Sequence, residues 1–64
     1  MPLLDEYYIR HSTPPEEPAK KILFAVMDDL LGRRGFDNAW DGCDDDLKEE
    51  MLQTNLDKIQ KQMS

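Results

Sequence analysis

PAKKILFAVMDDLL, residues 18–31, is the stretch that decides the fold. Ala19, Ile22, Leu23, Val26, Met27 and Leu30 recur at three- and four-residue spacing, so one face of a helix collects them. Phe24 and Leu31 widen that face on one flank, while Lys21 and Asp28 take the opposite side. Pro18 marks the start, because a residue without an N–H is tolerated only in a helix's first turn. Thr13 and Glu16 have the spacing of a capping box, but that register would place Pro18 inside the helix. The helix therefore starts no earlier than Glu16, and most simply at Pro18. Gly32 is a natural stop. The resulting apolar arc is broader than one neighbouring helix can cover.

Downstream, Arg33-Arg34-Gly35 makes a connection, and Phe36 is expected to turn back into the core. Asp37 can cap a short helical turn carrying Ala39 and Trp40, which Gly42 ends. A second long helix is expected over residues 45–62. Asp44, Asp45 or Asp46 caps it, Asp46 and Glu49 having the best capping-box spacing. Its apolar stripe is Leu52, Leu56, Ile59 and Met63, with Leu47 and Met51 well round the helix, facing the Trp40 turn or a second chain. Lys58 and Lys61 suit the C-terminal end of the dipole.

Upstream, residues 1–17 read as an arm ahead of a helical domain of residues 18–64. Leu3, Leu4, Tyr7 and Tyr8 share a face if Pro2 opens a helix, whereas Tyr7-Tyr8-Ile9 equally suits a strand. Pro14-Pro15 ends either one. The fold class is all-α: a helical hairpin with a short connecting helical turn and an N-terminal arm. Sixty-four residues bury only about 60% of the surface that the unfolded chain exposes. Small domains need a staple, and the single cysteine excludes an intrachain disulfide. Completion by homodimerisation, in a four-helix arrangement, is the expectation.

The charge is concentrated. Residues 37–50, DNAWDGCDDDLKEE, hold seven acids and one lysine, a net of −6, and the other fifty residues balance at seven of each. A focused negative field around a tryptophan suits recognition of a protein partner. The candidate binding residues are Asp41, Asp44, Asp45 and Glu49 in the acidic patch, with Phe24, Leu31, Arg33, Arg34 and Trp40 as apolar and basic contacts. Trp40 also reads as the keystone of a thin core. Arg33 and Arg34 could hold a carboxylate or phosphate, or simply serve a solvated turn.

Chemistry finds little footing. Asp37, Asp41 and Gly42 match three positions of an EF-hand loop, but Ala39 and Lys48 fall where ligands are required, so no metal is assigned. A loose divalent contact at Asp44, Asp45 and Asp46 competes with their reading as solvated acids at a helix start. Cys43 lies between acids that disfavour its thiolate. His11, the one histidine, stands 32 positions away in the arm. No nucleophile, base and orienting group assemble, so neither catalytic residues nor a cofactor are expected. An acidic chain is a poor ligand for nucleic acid. No apolar run approaches the roughly 18 residues of a spanning helix. The start of the chain lacks a secretory pattern, giving the expectation of a cytoplasmic protein.

Residues 30–56, LLGRRGFDNAWDGCDDDLKEEMLQTNL, resemble small helical proteins of bacteriophages and other mobile elements. The matching positions are Leu30, Leu31, Arg34, Gly35, Phe36, Trp40, Asp46, Glu49, Glu50, Leu52 and Leu56. The resemblance implies an origin and a helical fold, with no activity attached, and places the protein in the host-cell cytoplasm if phage-encoded. The focused acidic patch, the small size and the lack of chemistry lead to the expectation of a phage-type accessory protein that binds a host or phage protein, as an inhibitor of a defence or replication factor. The alternative is a structural or assembly component of a virion or larger complex.

Overall fold

Pro18 opens the central helix as its chemistry requires. In the computed structural model, which describes residues 2–64, four helices follow one another: α1 (Leu3–Tyr8), α2 (Pro18–Leu31), α3 (Phe36–Asp41) and α4 (Asp45–Met63). No strand occurs among the described residues. The protein is all-α. Glu17 precedes α2 in extended backbone, and its carbonyl accepts the Lys21 N–H to close the first turn at 3.1 Å. Gly32 ends α2 with right-handed backbone, φ −82°. Among the described residues the one with positive φ is Gly35, φ 95°, which turns the chain into α3. Asp37 braces that corner, its Oδ1 accepting N–H bonds from Gly35 and Asn38 at 3.2 and 2.9 Å.

Asp44 caps α4, accepting the Leu47 N–H at 2.8 Å. The Asp46–Glu49 box does not form. Glu49 instead points away from its own helix start and holds α1: its two carboxylate oxygens accept the N–H groups of Leu3 and Leu4 at 3.1 and 2.7 Å. Those donors have no partner within their own helix. A carboxylate at the positive end of the helix satisfies both.

Leu23 of α2 and Leu52 of α4 form the centre of the core, 2% and 1% exposed. Ala19, Phe24, Met27, Trp40 and Leu56 surround them. The start of α2 lies beside the end of α4, where Gln60 Nε2 donates to Glu17 Oε1 at 3.0 Å. The segment expected as an arm supplies three more core side chains, Leu3, Leu4 and Tyr7. Of its two open readings, the helix is the one observed. Tyr7 packs edge-on against Phe24, ring centroids 5.3 Å apart, and its hydroxyl donates to Asp28 Oδ1 at 3.1 Å. Arg10 stacks 4.0 Å over the Tyr7 ring, donates to the Tyr7 carbonyl and pairs with Asp28. Lys20 joins Glu6 at 2.9 Å.

This docking decides which flank of α2 is covered. Phe24, expected on the surface, is 3% exposed because Tyr7 lies on it. Ile22 and Val26, expected on the buried face, are 44% and 49% exposed because no helix lies on their side. Phe36, expected in the core, is 40% exposed: α3 turns Trp40 inward and leaves Phe36 one turn earlier, at the rim.

Candidate functional site

The acids of residues 37–50 fall on α3, its connection to α4, and the first turns of α4. Asp37, Asp41, Asp44, Asp45, Asp46 and Glu50 are exposed. The ion pairs among the described residues all lie elsewhere, using Glu6, Glu17, Asp28 and Asp29. Lys48 is the one cation of the acidic stretch. It is only 9% exposed, with its ammonium 5.6 Å from the centroid of the Trp40 ring. The cation turns inward to the negative face of the indole, a contact worth about 0.5–2 kcal/mol. Among the described residues Lys48 forms no ion pair with the carboxylates outside.

The structure sorts the sequence-derived binding residues. Asp41, Asp44 and Asp45 are all exposed, Asp44 with one oxygen committed to its cap. Glu49 is half-buried and occupied by α1. Trp40 is 6% exposed and Phe24 is buried, so both act as core. Leu31 is partly buried against that core. Arg33 reaches back to Asp29 at 3.3 Å on the surface. Arg34 is exposed and makes no ion pair among the described residues.

A second feature is only partly legible in the sequence. Between α2, α3 and α4 runs an open groove of about 300 Å³. Ile22, Val26 and Phe36 form its edge, and Leu30, Met51 and Ile59 lie deeper. Asn55 is the one polar lining residue, and its amide donates to the Met51 carbonyl at 2.7 Å. The excess width of the α2 arc is the signal that a sequence offers. Which flank stays open depends on where α1 docks.

Reactive groups are spoken for. The Cys43 thiol donates to the Ala39 carbonyl at 3.3 Å. Burial, then the hydrogen bond to Asp28, push the Tyr7 phenol up to about 12, so it stays a donor at neutral pH. The hydrogen bond from Lys20 to Glu6 raises the lysine above its ordinary value, keeping it a cation. Among the described residues no three His, Cys, Asp or Glu side chains converge to hold a metal ion. None of the helices formed by these residues is long and apolar enough to cross a membrane.

No family model, curated protein or solved structure matches this chain.

Proposed function

We propose that this is a small accessory protein of the phage or mobile-element kind that acts as a homodimer by binding another protein. The α2–α4 pair is then a helical hairpin completed by a second chain. In this reading it carries no reaction and no cofactor, and works in the host-cell cytoplasm. The acidic surface is the recognition face, and the partner presents a basic one. Sites built for nucleic acid are basic, so an inhibitor of a host defence or replication factor fits that chemistry. One observation carries the reading: Lys48 is folded inward beside Trp40 and pairs with none of the seven acids of residues 37–50, which keep a net charge of −6. The uncovered apolar groove favours a second reading, an assembly component of a virion or larger complex.

Tagged protein incubated with bacterial lysate, eluted across a salt gradient, tests the first reading. The expected result is a defined set of proteins that dissociates as salt rises. That set should also be lost from the Asp41→Asn/Asp44→Asn/Asp45→Asn variant, in which the asparagine introduced at position 44 retains the helix cap. Recovery of no protein, or of an identical set from the variant, overturns charge-directed recognition. Presence of the chain in purified particles would favour the assembly reading.

A further inference from the structure

We propose that the cavity between α2 and the turn that follows α1 binds a phosphate monoester carried on a small apolar body. None of the acids of residues 37–50 lines this cavity, so the site is independent of the acidic face. Lys21, Phe24, Ala25 and Asp28 stand at helical spacing on one face of α2 and line an open space of about 330 Å³. Arg10, His11, Pro14 and Pro15 line it from the preceding segment. The Ser12 and Thr13 N–H groups close onto the Ile9 carbonyl at 2.9 and 2.8 Å, which folds the backbone carrying Arg10 and His11 into a turn.

Charge is the first ground. On a chain of net charge −6, three basic side chains here meet one acid. That acid is already engaged: Asp28 Oδ1 accepts the Tyr7 hydroxyl and pairs with Arg10. Lys21 and His11 are exposed and make no ion pair among the described residues. A neighbouring cavity, which shares Pro14, Pro15 and Phe24, has the opposite character. Glu6, Glu16 and Glu17 line it, and its one base, Lys20, pairs with two of them. An anion is drawn to the first cavity and repelled by the second.

Arg10 is the second ground. Its guanidinium lies 4.0 Å over the Tyr7 ring, donates to the Tyr7 carbonyl at 2.8 Å and pairs with Asp28, so it need not be ordered on binding. Its Nε is nevertheless the one buried side-chain nitrogen or oxygen without a hydrogen-bond partner among the described residues. An acceptor brought from outside gains most beside such a donor. A phosphate monoester supplies about −1.5 to −2 charges and three acceptor oxygens for Arg10, Lys21 and His11. A carboxylate supplies a single charge, which Asp28 already provides. Pro14, Pro15 and Ala25 give the apolar wall against which the rest of the ligand rests.

Titration of the full chain at low ionic strength, followed by heteronuclear NMR, tests this with phenyl phosphate, inorganic phosphate and benzoate as probes. Phenyl phosphate should shift the amides of Arg10, His11, Lys21 and Ala25 saturably, with Kd about 1 mM. Inorganic phosphate, without the apolar body, and benzoate, without the second charge, should bind the same residues about 10-fold more weakly. Lys21→Ala and His11→Ala should each weaken phenyl phosphate by about 10-fold, whereas the exposed Lys58→Ala should not change it. Circular dichroism should be unaltered in all three, since the side chains removed are exposed. No saturation by about 10 mM phenyl phosphate, or shifts as large at Lys58 and Lys61 as at Lys21, would overturn the site. Undiminished binding by both cavity variants would do the same. Benzoate binding as tightly as phenyl phosphate would overturn the phosphate assignment and make the ligand a carboxylate. Inorganic phosphate binding as tightly would overturn the apolar contact.

Discussion

Removing the Glu49 carboxylate should unlatch the first helix. Its oxygens accept the Leu3 and Leu4 N–H groups at 3.1 and 2.7 Å, which α1 cannot satisfy internally. An N-terminal cap contributes about 0.5–2 kcal/mol, and hydrogen bonds to a charged acceptor lie at the upper part of that range. Glu49→Ala loses both bonds, and Leu3, Leu4 and Tyr7 lose part of their anchorage, so about 2 kcal/mol is expected. Glu49→Gln keeps one acceptor oxygen and forfeits the charge, for about 1 kcal/mol. At this chain length total stability is only about 3–10 kcal/mol, so Glu49→Ala should lower the melting temperature by about 10 °C. Glu50→Ala is the control, since its exposed neighbour makes no such bond and should stay within about 0.5 kcal/mol. Urea denaturation followed by circular dichroism gives the differences, and amide exchange at Leu3 and Leu4 locates them. Equal behaviour of Glu49→Ala and Glu50→Ala would refute the latch.

Trp40→Ala should cost about 3–5 kcal/mol and leave little folded protein, as judged by loss of helical dichroism, because the indole is buried and carries the Lys48 ammonium. Gly35→Ala should destabilise by about 1–2 kcal/mol in thermal melts, since φ is 95° even though nothing lies within 4 Å of an added Cβ. Gly42→Ala, with ordinary contacts at 3.6 Å and right-handed backbone, should be neutral or stabilising by about 0.4–1 kcal/mol. Burial raises the Tyr7 phenol from 10.0 to about 12 in the folded state, so its contribution is fully present below pH 10 and is lost as pH climbs through 12. Ultraviolet titration should show one tyrosine ionising in that late window together with unfolding, and Tyr7→Phe should remove the late step.

Both long helices were legible because their boundaries are local events. Pro18 can begin a helix but not continue one, and three consecutive aspartates before an apolar stripe mark the start of α4. The short turn bearing Trp40 was legible from Gly42, which ends it, whereas Asp37, expected as its cap, lies inside the first turn, after Gly35 at the cap position. The conformation of residues 3–8 was not legible, because what settles it lies far along the chain. Glu49 holds the helix start across 45 and 46 positions, and Asp28 holds Tyr7 across 21. Without that docking, Phe24 looked like surplus surface and Ile22 and Val26 like core, the reverse of what is observed. The acidic stretch was plain in composition. Its one lysine turning inward under the indole was not, since sequence spacing cannot say which way a long side chain folds.

The proposed function depends on residues 37–50 presenting an uncompensated negative face. The most direct test measures paramagnetic relaxation of the backbone amides by a cationic and by an anionic nitroxide of equal size. At low ionic strength the cationic probe should relax the amides of Asp41, Asp44, Asp45 and Asp46 several-fold more than the anionic one, and about 0.3 M salt should erase the difference. Equal relaxation by the two probes at low salt would mean that the acids are neutralised in solution, and would contradict recognition by charge.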